Sequence, residues 1–108
     1  MHDKRDHLRV AINMAVRCEV EGDVHFDALA TDISIGGARV EASELPEIGR
    51  RLVIAAQLPG AKEVSRLPAV VRWNQTGSFG VQFGLLGARD THRIAGLMGQ
   101  AMRTNKTT

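Results

Sequence analysis

Residues 10–20 read VAINMAVRCEV, a run in which every even position is apolar while the odd positions include Arg17 and Glu19. A period of two is typical of a β-strand that buries one face and exposes the other. Turn-forming residues follow at 21–23, and apolar side chains then recur at every second position over 24–30. The pattern therefore predicts two antiparallel strands joined as a hairpin.

Four further strands are predicted downstream, and each is bounded by residues that favour turns. Alternation or a short apolar run marks residues 38–42, 52–58, 64–73 and 80–83. Pro68 lies inside the third of these segments. Because proline has no N–H to donate to a neighbouring strand, it predicts a sheet edge or a bulge at this point.

The apolar period changes from two to a helical spacing after Gly87. One helical face is formed by Ile94, Leu97, Met98, Ala101 and Met102, which predicts an amphipathic helix that ends near Arg103. Gly96 and Gly99 each cost a helix about 1 kcal/mol relative to alanine, so we expect close approach to a neighbouring element there. Six strands followed by one helix indicate an all-β fold with one helix, namely a six-stranded antiparallel β-barrel plus a C-terminal α-helix.

Length and composition indicate a single domain. The 108 residues, of which 44% are hydrophobic and 24% charged, support one modest core and argue against intrinsic disorder. We expect a flexible N-terminal arm over residues 1–9, the barrel with its helix over 10–103, and a frayed tail over 104–108. The apolar runs are far shorter than the roughly 20 residues that cross a bilayer. No secretory signal is evident, so we expect no membrane insertion and a cytoplasmic location.

The charge distribution argues against a broad nucleic-acid-binding surface. Fourteen basic residues are nearly balanced by twelve acidic ones, which leaves no extended cationic face. A small barrel that binds single-stranded nucleic acid also needs aromatic side chains among basic ones. The chain has no tyrosine, and its one tryptophan and three phenylalanines are dispersed. Binding of DNA or RNA is therefore not predicted.

No constellation typical of an enzyme or a metal site is present. The histidines, which are His2, His7, His25 and His92, lack metal-ligand spacing. Cys18 is the single cysteine and falls in phase with core residues, which favours a buried thiol over a nucleophile. Phosphate-binding loops, GxSxG and dinucleotide fingerprints are absent from the sequence. The chain is predicted not to be an enzyme and to need no metal or cofactor.

The segment before the first strand carries two arginines that could bind an anionic ligand. Arg5 and Arg9 lie four residues apart. A guanidinium group offers a planar fork of donors that fits phosphate oxygens or the O6 and N7 atoms of guanine. A solvated basic arm would have the same sequence, so these residues alone do not distinguish the two interpretations.

A second polar segment, DISIGG at residues 32–37, follows the predicted hairpin. Extended geometry would place Asp32, Ser34 and Gly36 on one face, anchored by the two isoleucines on the other. A carboxylate can accept from the N1–H and N2–H₂ edge of guanine, a hydroxyl can donate to phosphate, and Gly37 permits a positive φ or close approach of a ligand. An ordinary glycine-ended turn would also explain the segment.

The two segments together resemble the signature of the PilZ domain family. RxxxR at Arg5 and Arg9 stands just before the first strand, and DxSxxG at Asp32, Ser34 and Gly37 follows the hairpin. The resemblance extends to about residue 103 and includes VVRW at 70–73 and GVQF at 80–83. It implies a six-stranded barrel that serves as a bacterial receptor for the second messenger cyclic di-GMP.

The resemblance also implies which residues bind the ligand. These would be Arg5, Arg9, Asp32, Ser34 and Gly37, with Lys4 and Gly36 as further candidates. In the family, the residue before the first arginine influences whether one ligand or an intercalated pair is bound. Lysine at this position leaves the stoichiometry open, because an ammonium stacks less well than a guanidinium.

The same resemblance implies a signalling role. If the N-terminal arm orders over the bound ligand, the surface offered to a downstream protein changes. PilZ proteins commonly act in the control of motility, exopolysaccharide synthesis and biofilm formation, and no residue here selects among these processes or identifies the partner. The alternative is a degenerate PilZ-like module that binds no nucleotide and acts through protein contacts alone.

Overall fold

A computed structural model of the chain describes residues 8–22 and 24–106, with side chains as far as Arg103. Across these residues six β-strands are followed by one α-helix. The elements are β1 (Val10–Val20), β2 (His25–Ile33), β3 (Gly37–Glu41), β4 (Arg51–Ala56), β5 (Ser65–Gln75), β6 (Ser78–Phe83) and α1 (Ala88–Lys106). The predicted all-β fold with one C-terminal helix is confirmed.

The six strands form a closed barrel in the order β1-β2-β3-β6-β5-β4, and every neighbouring pair is antiparallel. Closure is made by β1, which pairs with β2 along one side and with β4 along the other. Since each strand has two neighbours, the barrel leaves no open sheet edge.

Pro68 marks neither an edge nor a bulge, so the sequence-based expectation for this residue was wrong. It pairs with Val53 of β4, and its carbonyl oxygen accepts from the Gly84 N–H at 2.8 Å. In an antiparallel strand the N–H and C=O of a residue point the same way. An N–H at Pro68 would therefore point toward β6, which has just ended at this position. Its absence costs only one hydrogen bond, at the end of the ladder between β5 and β6.

The inward-facing side chains fill the barrel with a single apolar core. Phe26 and Phe79 meet there edge to face, with ring centroids 6.3 Å apart at 71°, a favourable geometry for aromatic pairs. Cys18 is fully buried beside them in the core cluster, as its phase predicted. Burial raises the pKa of its thiol to about 12, because a thiolate would lose its hydration there.

The helix packs on the barrel beside β1 through the predicted face. Ile94 is fully buried and Met98 is 7% exposed, whereas Met102 is 40% exposed. The helix runs to Lys106, three residues beyond the predicted end near Arg103. Fraying of the tail stays a prediction, and residues 107 and 108 lie outside the described residues.

The two helical glycines do not mark a close approach within the described part of the chain. A Cβ atom at Gly96 would meet nothing within 4 Å, and one at Gly99 would meet only the Arg103 guanidinium at 3.6 Å. The expectation that these residues admit a neighbouring element was therefore wrong. Both glycines cost helix propensity without any compensating contact among the described residues.

Replacing Gly96 with alanine should therefore stabilise the protein. Alanine is the better helix former by about 1 kcal/mol and restricts the unfolded chain, and the free energy of unfolding from urea titration should rise by about that amount. Gly60→Ala is the matched control, because Gly60 lies in a turn with φ +83° and should lose stability on the same substitution. An unchanged or lowered stability of Gly96→Ala would contradict this expectation.

The buried thiol should make stability depend on alkaline pH. The folded-state pKa of Cys18 lies above its ordinary value of 9.0 at about 12, so the unfolded state gives up its proton first as pH rises. The contribution of Cys18 is complete below pH 9 and should be lost progressively between pH 9 and about 12. Urea titrations across this range on wild type and Cys18→Ala should show a steeper decline in the wild type. Parallel curves would refute the assignment.

Candidate functional site

Ser34 organises the loop that joins β2 to β3. Its side chain is 1% exposed, and its hydroxyl oxygen accepts hydrogen bonds from the backbone N–H groups of Gly36 and Gly37, each at 3.1 Å. The Ser34 backbone N–H donates to the Gly37 carbonyl oxygen at 2.8 Å. These bonds satisfy the buried donors of a tight turn.

This geometry corrects the predicted polar face. Ser34 points into the loop instead of standing beside Asp32, and Ile35, expected as an anchor, is 38% exposed. Only Ile33 of the two isoleucines is in the core, at 2% exposed. Extended geometry fails because β2 ends at Ile33 and the chain turns immediately. The Ser34 hydroxyl therefore stabilises the conformation of the loop by accepting two backbone hydrogen bonds inside it.

Gly37 is required by contact between strands of the same chain. A Cβ atom on Gly37 would collide with the carbonyl oxygen of Val81 on β6, and the residue does not have a positive φ. The neighbouring Gly36 carbonyl accepts from the Phe83 N–H at 2.8 Å. The predicted close approach therefore exists, but it is made to β6, and it holds the loop flat against the barrel.

An ion pair brings the two sequence motifs together. A terminal guanidinium nitrogen of Arg9 lies 2.7 Å from Oδ1 of Asp32, with the two side chains 49% and 27% exposed. Arg9 immediately precedes β1, and Ala11, two residues further along the chain, pairs with Asp32. Lys4 and Arg5 lie outside the described residues, so their predicted roles stay predictions.

Two irregularities in the strands turn side chains onto the outer surface next to this ion pair. Ala30 of β2 pairs with Val40 of β3, and Asp32 pairs with Arg39, the residue before Val40. Thr31 therefore has no partner residue in β3. In β5, the shift falls between Val71 and Trp73. Such bulges change which face a following side chain occupies. Asp32 and Trp73 accordingly lie outside the barrel, although strict alternation from Ala30 and Val71 would place both inside.

A pocket of about 210 Å³ lies next to the ion pair on the outer face of β3, β6 and β5. Its lining consists of Arg9, Ser34, Gly36, Gly37, Ala38, Arg72, Trp73, Gly80, Val81 and Gln82. Nε of Arg72 donates to Oε1 of Gln82 at 2.6 Å. The pocket thus contains four of the predicted positions, Arg9, Ser34, Gly36 and Gly37, together with the guanidinium of Arg72 and the ring of Trp73. Asp32 does not line the pocket but contacts it through its ion pair with Arg9.

Sequence reasoning did not assign Arg72, Trp73, Gly80 or Gln82 to the site. The segments that contain them were predicted only to be late strands. The available signal was VVRW at 70–73, where an arginine and a tryptophan follow two apolar residues. Alternation cannot reveal that Arg72 and Trp73 share the outer face, because a bulge is needed to put consecutive side chains there.

A larger pocket of about 630 Å³ lies against β1, β4 and β5 and contains none of the motif residues. Glu19 and Arg66 pair across it, with Nη1 of Arg66 3.0 Å from Oε2 of Glu19. The hydrogen bond from Arg66 lowers the pKa of the Glu19 carboxyl. Within residues 8–22 and 24–106 no group of three or more potential ligands could hold a metal ion. No helix of the same residues has the length and apolarity to cross a bilayer.

The sequence comparison assigns the family. A model of the PilZ domain matches residues 3–100, which is nearly the whole chain. This chain belongs to the PilZ domain family. A search of curated proteins finds no match to this PilZ domain.

Solved structures share the fold of this PilZ domain at low sequence identity. The PilZ domain of YcgR from Escherichia coli, solved with c-di-GMP, has a TM-score of 0.79 at 13% identity, covering 96% of this chain and 95% of that one. The PilZ domain of CeSA from a cellulose-synthesizing bacterium gives 0.71 at 20% identity, covering 86% and 96%. The Bacillus subtilis inhibitor of motility, MotI, gives 0.72 at 21% identity, and the match covers 99% of this chain and 55% of that one.

The loop of this PilZ domain should depend on the Ser34 hydroxyl. Ser34→Ala leaves the N–H groups of Gly36 and Gly37 without their acceptor, and a buried unsatisfied donor costs about 1–3 kcal/mol. Urea unfolding should therefore show a loss of that order, while Ser34→Thr retains the oxygen and separates loss of the hydroxyl from a change in size. Unchanged stability of the alanine variant would show that water replaces the hydroxyl.

Proposed function

We propose that this PilZ domain is a receptor for cyclic di-GMP. The observation that carries the proposal is the Arg9–Asp32 ion pair beside the pocket, because it joins the two ligand-binding motifs of the family at one place. Two proteins of the same fold, the YcgR PilZ domain and PlzA from Borreliella burgdorferi, have been solved with c-di-GMP. PilZ domains are receptors rather than enzymes, and the proposal assigns no catalytic residue.

The chemistry of the pocket suits this ligand. Cyclic di-GMP carries two phosphates and two guanines, which require forked cationic donors and a carboxylate acceptor. Arg9 is half exposed and can turn from Asp32 to a phosphate or to a guanine edge, and Asp32 can then accept from the guanine N1–H and N2–H₂ groups. Arg72 adds a second guanidinium across the same pocket.

The N-terminal arm would complete the site. Arg5 precedes Arg9 by four residues, so it can lie at most about 14 Å away along an extended chain. We assign Arg5 to phosphate or guanine contacts and Lys4 to the position that sets the number of bound ligands. Ordering of residues 1–9 over the ligand would present a changed surface to a downstream protein.

The loop residues act in this proposal through the shape of the site. Ser34 and Gly37 hold the turn against β6, so that the pocket floor is preorganised before the ligand arrives. Gly36 lines the pocket with its backbone. Control of motility, exopolysaccharide synthesis or biofilm formation through the downstream partner belongs to the proposal and follows from the family alone.

Isothermal titration of the protein with cyclic di-GMP tests the proposal. Arg9→Ala should weaken binding by about 10- to 100-fold, because a charge-assisted hydrogen bond contributes about 1.5–3 kcal/mol. Arg17→Ala is the matched control, since Arg17 of β1 is also an exposed arginine beside an aspartate of β2, with Nη1 3.4 Å from Oδ1 of Asp27. It lies outside the pocket and should bind like the wild type. Arg5→Ala tests the arm in the same way.

Two results would count against the receptor. Absence of heat and of thermal stabilisation with cyclic di-GMP in the wild type would favour the degenerate module that acts through protein contacts. Equal weakening by Arg9→Ala and Arg17→Ala would show that the two arginines contribute only general positive charge. The linear dinucleotide and GTP serve as ligand controls, because the cyclic form should bind far more tightly.

A further inference from the structure

The loop that joins β3 to β4, residues 42–50, crosses one end of the barrel. It has to do so because β6 and β5 lie between these two strands. On one side its backbone bonds to β5 and to the turn after it, since the Ala42 N–H donates to the Gly77 carbonyl at 3.1 Å and the Gly49 N–H donates to the Val71 carbonyl at 2.8 Å. On its other side the loop faces the hairpin of β1 and β2 across a shallow depression.

Further contacts hold this loop in one conformation. Nδ2 of Asn74 donates to the Pro46 carbonyl at 3.0 Å, and the Arg50 N–H donates to the Glu47 carbonyl at 3.1 Å. The ring of Pro46 also restricts the backbone at the middle of the loop. A loop that is already ordered loses little conformational entropy when a partner binds to it. The surface that this loop presents is therefore preorganised.

Large apolar side chains of the loop and of the hairpin stay exposed at this end of the barrel. Val24 is 43% exposed, Leu45 39% and Ile48 63%. Val24 and Leu45 both line the depression, which has a volume of about 110 Å³. Small-molecule sites have volumes of about 300–1,000 Å³. The depression is therefore suited to an apolar side chain of another protein rather than to a small ligand.

Three carboxylates lie in this loop or next to it. Glu41, Glu44 and Glu47 are exposed, and none of them forms an ion pair in the part of the chain that the structure describes. Residues 41–50 include a single cation, Arg50, and its Nη2 donates to a backbone carbonyl in the turn after β1 at 3.2 Å. Three glutamates against one arginine give this stretch a charge of −2, in a chain whose formal net charge is +2.

We propose that this end of the barrel is a docking surface for a basic amphipathic helix of a partner protein. The apolar face of that helix packs on Val24, Leu45 and Ile48, and its lysine or arginine side chains pair with the carboxylates of the loop. An apolar centre with a charged rim is the usual arrangement of a protein interface, and complementary charge fixes the orientation of the partner. An anionic lipid surface does not fit, because it would repel the carboxylates.

The docking surface is separate from the pocket that contains the motif residues. The motif loop precedes β3, whereas loop 42–50 follows the same strand. Neither the apolar side chains nor the carboxylates of the docking surface line that pocket. The inference therefore goes beyond the proposed function and does not depend on it, and it can be tested on the protein without cyclic di-GMP.

A synthetic peptide that has the chemistry of the partner is the probe. It has about 18 residues, or five helical turns, with leucine on one face and lysine on both flanks, and the control peptide has glutamate in place of lysine. Titration of the isotope-labelled protein should shift the backbone amide NMR signals of residues 42–50 and of Val24 with the lysine peptide only. Absence of shifts, or shifts on another face of the barrel, would overturn the docking surface.

Substitution of the apolar side chains tests the centre of the surface. Leu45→Ser and Ile48→Ser should each weaken binding of the lysine peptide by about 10-fold or more, because each removes one large aliphatic side chain from the contact. Leu85→Ser is the matched control, since Leu85 is 97% exposed and follows β6 at the opposite end of the barrel. It should bind the peptide like the wild type. Equal affinity of all three variants would overturn the apolar contact.

Charge reversal tests the rim. The double variant Glu44→Lys/Glu47→Lys should lose the lysine peptide and bind the glutamate peptide instead, an exchange of preference that a loss of folding cannot produce. Glu63→Lys is the control, because Glu63 is exposed on the loop between β4 and β5 and should leave the preference unchanged. Affinity of the wild type for the lysine peptide should also fall as the salt concentration rises.

The remaining outcomes decide the proposal as follows. Equal binding of the two peptides to the wild type, or an unchanged preference in the double variant, would show that complementary charge does not select the partner and would overturn it. Thermal melting identifies any variant that fails to fold, in which case the two peptides and the shifted amides of the wild type decide. Localised shifts, weakening by both serine substitutions and a reversed preference are the results we expect.

Discussion

The antiparallel pairing of β1 with β4 joins the first strand of the barrel to the strand that follows β5 in space. Through it the backbone groups of all six strands find partners within the barrel, so no sheet edge has to be covered by another element. Closure also divides the side chains into an inner and an outer set. The inner set is packed around Phe79 and Val40, both fully buried. The pocket that contains the motif residues lies on the outer face.

Departures from regular β-structure shape the outer surface around this pocket. Bulges at Thr31 and between Val71 and Trp73 bring Asp32 and the indole ring outside. The buried hydroxyl of Ser34 and the absence of a side chain at Gly37 hold the connecting loop against β6. Each irregularity is stabilised by hydrogen bonds or by close packing within the barrel. A rigid scaffold with local irregularities can thus present charged and aromatic groups at defined positions.

The strength of the Arg9–Asp32 pair is suited to a site that exchanges partners. Both side chains are partly exposed, and a pair of this kind contributes at most about 1 kcal/mol after solvent screening. Under the proposed function, a ligand that replaced the pair with charge-assisted bonds to phosphate and guanine would lose little on separating the two residues. The contact between Arg39 and Trp73 is of another kind, since the guanidinium carbon of Arg39 lies 5.8 Å from the centroid of the aromatic ring.

Local pattern by itself determined the architecture of the domain. Alternation over residues 10–20 placed Val10–Val20 in a strand with the observed bounds, and helical spacing after Gly87 placed Ile94 and Met98 on the packed face. A strand buries every second side chain, and a helix buries side chains three and four positions apart, so both patterns can be read from the sequence alone. The RxxxR and DxSxxG motifs, together with the predicted order of strands around them, likewise indicated the family.

Tertiary structure decided what the motif residues do and which other residues join them. Ser34 turns inward because its hydroxyl is the acceptor closest to the N–H groups of the turn, and Gly37 is required by a strand that is more than 40 positions away in sequence. Trp73 reaches the site because a bulge reverses the alternation, and Gly80 admits its ring. Gly96 in the helix is the opposite case. The sequence suggested a close contact at this glycine, and none is present among the described residues. Such effects depend on contacts between distant segments, whereas sequence pattern reports only which face of its own element a residue occupies.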